Sequence, residues 1–209
     1  MEPHVRQMSD HPSSRPRHTA TRRGFLRLAG LGAAGGSVVF LTTCGGDDER
    51  KPGGTGGAKA GAARADLKIL NSALDLENAS IAAYSAGLKL LKRPALAAAE
   101  LFLGHEREHA RRLTTLIGDM GGTPNTPRTP EEYRRAFPAL GDQGDALRFA
   151  VDLENMAVRA YVESLPRLSE PALRQTAGTI VTNEAEHMAV LRGLLGERQA
   201  PDAFVTGKS

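Results

Sequence analysis

Two stretches of this chain repeat one constraint: acidic and histidine side chains stand on the apolar stripes of helices, at matching offsets. Asp75-Leu76-Glu77-Asn78 recurs as Asp152-Leu153-Glu154-Asn155, and Ala83-Tyr84 recurs as Ala160-Tyr161 at the same offset. Glu106-Arg107-Glu108-His109 recurs as Glu184-Ala185-Glu186-His187, and Leu116-Ile117-Gly118 recurs as Leu194-Leu195-Gly196, both at an offset longer by a single position. The surrounding apolar residues fall three or four apart, so each stretch reads as a helix with one face turned inward. Glu77 lies between Leu74 and Ile81, Glu154 between Val151 and Val158. Glu106 and His109 lie between Phe102 and Leu113, and Glu184 and His187 between Ile180 and Leu191. An unpaired buried carboxylate costs several kcal/mol, roughly, and four in one core repel each other. Lys and Arg are missing from the stripes. Two divalent cations would balance the four carboxylates.

The periodicity predicts helices over about 66–91, 95–117, 145–165 and 171–196, with no strand. Short turns near Lys92-Arg93 and Pro166–Glu170 make each half an antiparallel hairpin. A long Pro- and Gly-rich stretch, Gly118 to Gly144, separates the halves. A crossover along a four-helix bundle accounts for so long a connection. Within it, Thr129-Pro130-Glu131-Glu132 has the form of a helix N-terminus. The expected fold is all-α: an antiparallel four-helix bundle with a long crossover between helices 2 and 3.

Glu and His three residues apart share a helix face. Each half therefore offers one lone Glu and one Glu-x-x-His, and oxygen-rich sets with few imidazoles suit iron or manganese. The set Glu77, Glu106-x-x-His109, Glu154, Glu184-x-x-His187 resembles the ferritin-like di-iron carboxylate proteins. The resemblance extends over the whole four-helix region, including helix order, crossover position and all six ligand positions. It implies two Fe ions, with Mn as the alternative. Glu106 and Glu184 would bridge, Glu77 and Glu154 would be terminal carboxylates, and His109 and His187 would each cap one metal. The implied function is oxidation of Fe(II) or consumption of dioxygen or peroxide. The alternative is a non-catalytic metal-binding, structural or stress-related envelope protein. A rubrerythrin-like electron-delivery domain would need more than the single Cys present. A storage cage is disfavoured because only the short stretch 197–209 follows Gly196 and because a membrane tether suits a closed shell poorly.

Other polar residues stand beside the set. Glu108 and Glu186 repeat but sit off the stripe, as solvent-facing residues or as support for a ligand rather than as ligands. His105 has no counterpart, since Asn183 stands at its place; it reads as a surface residue or as support for a ligand. Asp75 and Asp152 read as surface charges or as partners for a ligating His. Tyr84 and Tyr161 read as core packing, with electron donation to the metals as the alternative.

The ends differ from this core. Six of the 27 basic residues but two of the 24 acidic ones fall in residues 1–43, leaving the remainder at 21 against 22. That balance leaves no basic footprint for nucleic acid. Thr21-Arg22-Arg23-Gly24-Phe25-Leu26-Arg27 resembles a twin-arginine export signal, and Leu41-Thr42-Thr43-Cys44-Gly45 a lipoprotein cleavage box. Between them runs an apolar, Gly-rich stretch, 28–41, too short to span a bilayer well. The expected domains are a signal peptide (1–43), a Gly-rich tether (44–64), the bundle (65–200) and a tail (201–209). Within the tether, residues 45–63 are expected to pack on nothing. A chain of that length reaches about 25 Å. Lipid on Cys44 would anchor an exported protein to the outer face of the cytoplasmic membrane or elsewhere in the envelope. The expected partners are metal ions, dioxygen or peroxide, and that membrane. A homodimer is compatible with the bundle.

Overall fold

The computed structural model describes residues 55–208, with side chains from Gly57 onward. Arg22, Arg23, the apolar run 28–41, Cys44 and residues 45–54 of the expected tether lie outside the described residues. Four long helices and one short one follow in order: α1 (Thr55–Gly87), α2 (Ala95–Asp119), α3 (Pro130–Ala136), α4 (Gln143–Ser164) and α5 (Pro171–Leu194). Single 3-10 turns, Leu88–Leu90 and Leu165–Arg167, end α1 and α4. Among the described residues there is no strand, and no helix is long and apolar enough to cross a membrane. The expected all-helical bundle is the observed fold.

The start of α1 differs from expectation. The helix begins at Thr55, within the segment read as tether. Residues 57–65 are almost wholly exposed, and the inward face starts at Asp66. The segment lacks large apolar residues, as composition required, yet it holds five alanines between Ala58 and Ala65. Alanine extends a nucleated helix without help from a core.

Local chemistry sets the other ends. Thr129 and Glu132 form a reciprocal capping box at α3, with Thr129 N–H donating to Glu132 Oε2 at 2.8 Å. Asp142 caps α4 by accepting from the Asp145 amide at 2.9 Å. After α2 and α5 the chain turns through Gly121 (φ 72°) and Gly196 (φ 74°). Gly122 N–H then reaches Ile117 O at 2.8 Å and Glu197 N–H reaches Arg192 O at 2.9 Å. Both are Schellman stops, whose left-handed residue is usually glycine.

α1 packs on α2, α4 on α5, and the hairpins meet through α1–α4 and α2–α5. Asp66, 1% exposed, accepts from the Ser169 amide at 2.9 Å and from its hydroxyl, tying α1 to the turn before α5. The crossover lies along α1: Asn125 N–H donates to Asn71 Oδ1 (2.7 Å) and Asn125 Nδ2 to Asp75 Oδ2 (2.9 Å). Tyr133 of α3 is buried with Leu76, Ala79, Ala83 and Leu153.

Two further apolar clusters fill the bundle. One holds Leu70, Leu74, Leu113, Ile117, Tyr161 and Ile180; the other holds Tyr84, Phe102, Leu103, Leu147 and Leu191. Along every long helix, the glutamate or Glu-x-x-His falls between residues of these two clusters. The fold thus clamps a polar layer at mid-bundle.

Candidate metal centre

All six side chains picked out by the stripes converge in that layer. Glu77, Glu106, Glu154, Glu184 and His187 are at most 1% exposed, and the His109 side chain is 13% exposed. Ligand-type atoms of Glu77, Glu106, His109 and Glu184 lie within 4.8 Å of one another, as do those of Glu106, Glu154, Glu184 and His187. The two groups share Glu106 and Glu184. His109 Nδ1 stands 3.0 Å from Glu184, 3.5 Å from Glu77 and 3.9 Å from Glu106. His187 Nδ1 stands 3.2 Å from Glu106, 3.3 Å from Glu184 and 3.4 Å from Glu154.

These contacts are close without being aligned hydrogen bonds. Both oxygens of Glu106 and of Glu184, Glu154 Oε2, and Nδ1 of both histidines are buried with no hydrogen-bond partner. An unsatisfied buried polar atom costs about 1–3 kcal/mol, against a net domain stability of about 5–15 kcal/mol. Donor atoms that converge on common points instead of pairing suit cations. Carboxylates with a minority of imidazole are the donor chemistry of iron or manganese. The residues therefore fit a pair of such ions.

The charges show the same strain. Burial and the charges of Glu77, Glu184 and Glu154 push the Glu106 carboxyl well above its ordinary range. Burial and the Glu184 charge raise Glu154. Burial would raise Glu184 too, but the two histidines hold it below the usual carboxylate range. Burial pulls the histidines down, yet the carboxylates win, lifting His109 to about 10 and His187 to about 9. Imidazolium protons thus supply the compensating positive charge that the stripes lack.

The tyrosines contribute a feature beyond packing. Tyr84 donates to Glu154 Oε1 and Tyr161 to Glu77 Oε1, each across the bundle. Glu77 and Tyr84, like Glu154 and Tyr161, are two helical turns apart on one helix. On antiparallel helices that equal spacing places each Tyr opposite the other helix's Glu. Burial and the glutamate charges raise both phenols well above 10, so they keep their protons and act as donors. The shared spacing is the sequence signal for this exchange.

The remaining polar residues sort by position. Glu108 and Glu186 are exposed; Glu108 pairs with Arg111, and Asn183 Nδ2 donates to Glu186 at 3.2 Å. Asp75 holds the crossover rather than a histidine, and Asp152 is exposed. The side chain behind a histidine of the centre is His105, whose Nδ1 is 2.9 Å from His187 Nε2.

The sequence profile of the ferritin-like domain family matches residues 65–197. The chain belongs to the ferritin-like family. Solved structures share the fold at low identity. A conserved hypothetical protein of Mycobacterium tuberculosis is 20% identical, with TM-score 0.57, over 63% of this chain and 97% of its own. A ferritin-like diiron-carboxylate protein of Bacillus anthracis str. Ames is 22% identical, with TM-score 0.56, over 64% and 97%. A dodecameric thioferritin, the bacterioferritin-related protein of Bacteroides fragilis, is 22% identical, with TM-score 0.55, over 64% and 86%. No curated protein matches the ferritin-like chain by sequence.

Proposed function

We propose that this ferritin-like protein holds a di-iron centre, with di-manganese as the alternative, and uses it to oxidise Fe(II) or consume dioxygen or peroxide. The observation that carries the reading is the pair of buried ligand groups sharing Glu106 and Glu184. Glu106 and Glu184 would lie between the two ions. Glu77 and His109 would complete one position, and Glu154 and His187 the other. A bound iron pair supplies one-electron redox steps toward dioxygen or peroxide.

The chain's own residues do the rest. Tyr84 and Tyr161 orient Glu154 and Glu77 through their hydroxyls and hold a proton beside them. The two apolar clusters exclude water from the layer. His109, the most exposed of the six, marks the side nearest solvent. A cavity of about 20 Å³, lined in part by Tyr84, Gly87, Ala99, Leu147 and Leu191, has room for about one water-sized molecule beside Tyr84. A metal-binding protein without turnover needs the same ligands and is the second reading.

The setting is part of the proposal. Arg22-Arg23, the apolar run and Cys44 support export and lipid anchoring, with the bundle facing away from the membrane. Partners would be metal ions, dioxygen or peroxide, the membrane at Cys44, and a second copy of the chain in a homodimer. The test is metal analysis followed by oxygen-electrode assays on full-length protein supplied with Fe(II) or Mn(II). Two ions per chain with Fe(II)-dependent oxygen uptake support the oxidase. Two ions without uptake of oxygen or peroxide leave the binding protein, and no bound metal refutes both.

A further inference from the structure

His105 breaks the two-fold pattern of the centre. It stands on α2 one residue before Glu106, half-buried, with Nδ1 2.9 Å from His187 Nε2 and ring planes 15° apart. Phe102 stacks on His187 at a centroid distance of 4.1 Å and 27°. His187 is therefore engaged at Nε2 and on one ring face, with Nδ1 left facing the carboxylates, and is 1% exposed. The matching position in the other half is Asn183, whose amide turns to Glu186. His109 meets the carboxylates through Nδ1 while 13% of its side chain stays in solvent.

We propose that His105 is a positioning residue for His187 and makes the two metal positions unequal, so that the group Glu106, Glu154, Glu184 and His187 fills first. The inference rests on the two-metal reading above. An imidazole that ligates through Nδ1 carries its remaining proton on Nε2. Buried as His187 is, that N–H needs an acceptor, and His105 Nδ1 is in place. The bond fixes the tautomer, sets the ring plane and increases the electron density at Nδ1. Such outer partners are commonly worth about 10–100-fold in metal affinity. With Asn183 turned toward Glu186, His109 lacks the matching support.

The test is anaerobic titration of full-length, metal-free protein with Co(II), read by its visible ligand-field absorption. Wild type should bind in two steps. His105→Phe keeps an aromatic ring but removes the acceptor; it should weaken the tighter step by about 10–100-fold and leave the weaker one nearly unchanged. His105→Asn places Oδ1 near the position of Nδ1 and should restore most of the loss. His187→Ala should abolish the tight step, whereas His109→Ala should abolish the weak one. Should His105→Phe fail to fold by circular dichroism, the His187→Ala and His109→Ala pair still decides which position is tighter. Two indistinguishable steps in wild type, or unchanged steps in His105→Phe, overturn the inference while leaving the two-metal reading intact. Absence of Co(II) binding by wild type overturns both.

Discussion

Removing the Tyr84 or Tyr161 hydroxyl isolates one atom whose role can be measured. Tyr→Phe leaves the ring in its apolar cluster and deletes only the donor to Glu154 or Glu77. Both tyrosines are at most 4% exposed, so water cannot replace the lost donor. Leaving a buried acceptor unsatisfied costs about 1–3 kcal/mol. For a domain of this length each kcal/mol lowers the melting temperature by about 2–4 °C, so each variant should lose about 2–12 °C. The assay is thermal unfolding of metal-free protein, followed by circular dichroism or calorimetry. Loaded protein should show a smaller loss, because a cation then satisfies the carboxylate. If the tyrosines served only as core packing, Phe would be neutral. Melting temperatures within about 1 °C of wild type for both variants would refute the exchange of donors across the bundle.

Three further outcomes are expected. Glu154→Ala should lower metal content from two ions per chain to one or none while keeping the helical spectrum, and Glu186→Ala should leave metal content unchanged; equal losses contradict the ligand assignment. Metal affinity should rise with pH from 6 to 9, because each ion displaces imidazolium protons held up to about 10 at His109 and about 9 at His187. That is about a tenfold gain per pH unit for each proton displaced, with proton release visible in weakly buffered titrations; uptake independent of pH contradicts it. Cys44→Ala should shift the protein out of the membrane fraction or block its maturation; full retention with the leader uncut would point to a signal anchor instead.

The bundle and its polar layer were legible because one physical conflict runs through the sequence: carboxylates on apolar stripes. The stripes mark the helices, and the repeated Glu-x-x-His marks the face on which the ligands meet. Thr129 and Glu132 announce the short crossover helix through local capping chemistry. What escaped depends on contacts between elements. Asp75 resembles a histidine partner by its repetition, but its side chain holds the crossover through Asn125. Asp66 carries no periodic signal, yet it ties α1 to Ser169. His105 has no repeat to mark it, and only the packing of α2 against α5 brings it to His187. Residues 57–64 bury almost nothing and so read as coil, whereas alanine propensity extends the helix without burial.

The central claim is that six side chains on four helices hold two metal ions. It is tested most directly by crystals of the full-length protein loaded with Fe(II) without oxygen, measured for anomalous scattering at the iron edge. The account predicts two iron peaks per chain, about 3.5–4 Å apart, in the mid-bundle layer with Glu106 and Glu184 between them. Iron peaks elsewhere, or a mid-bundle layer free of iron in crystals that contain it, would contradict the claim.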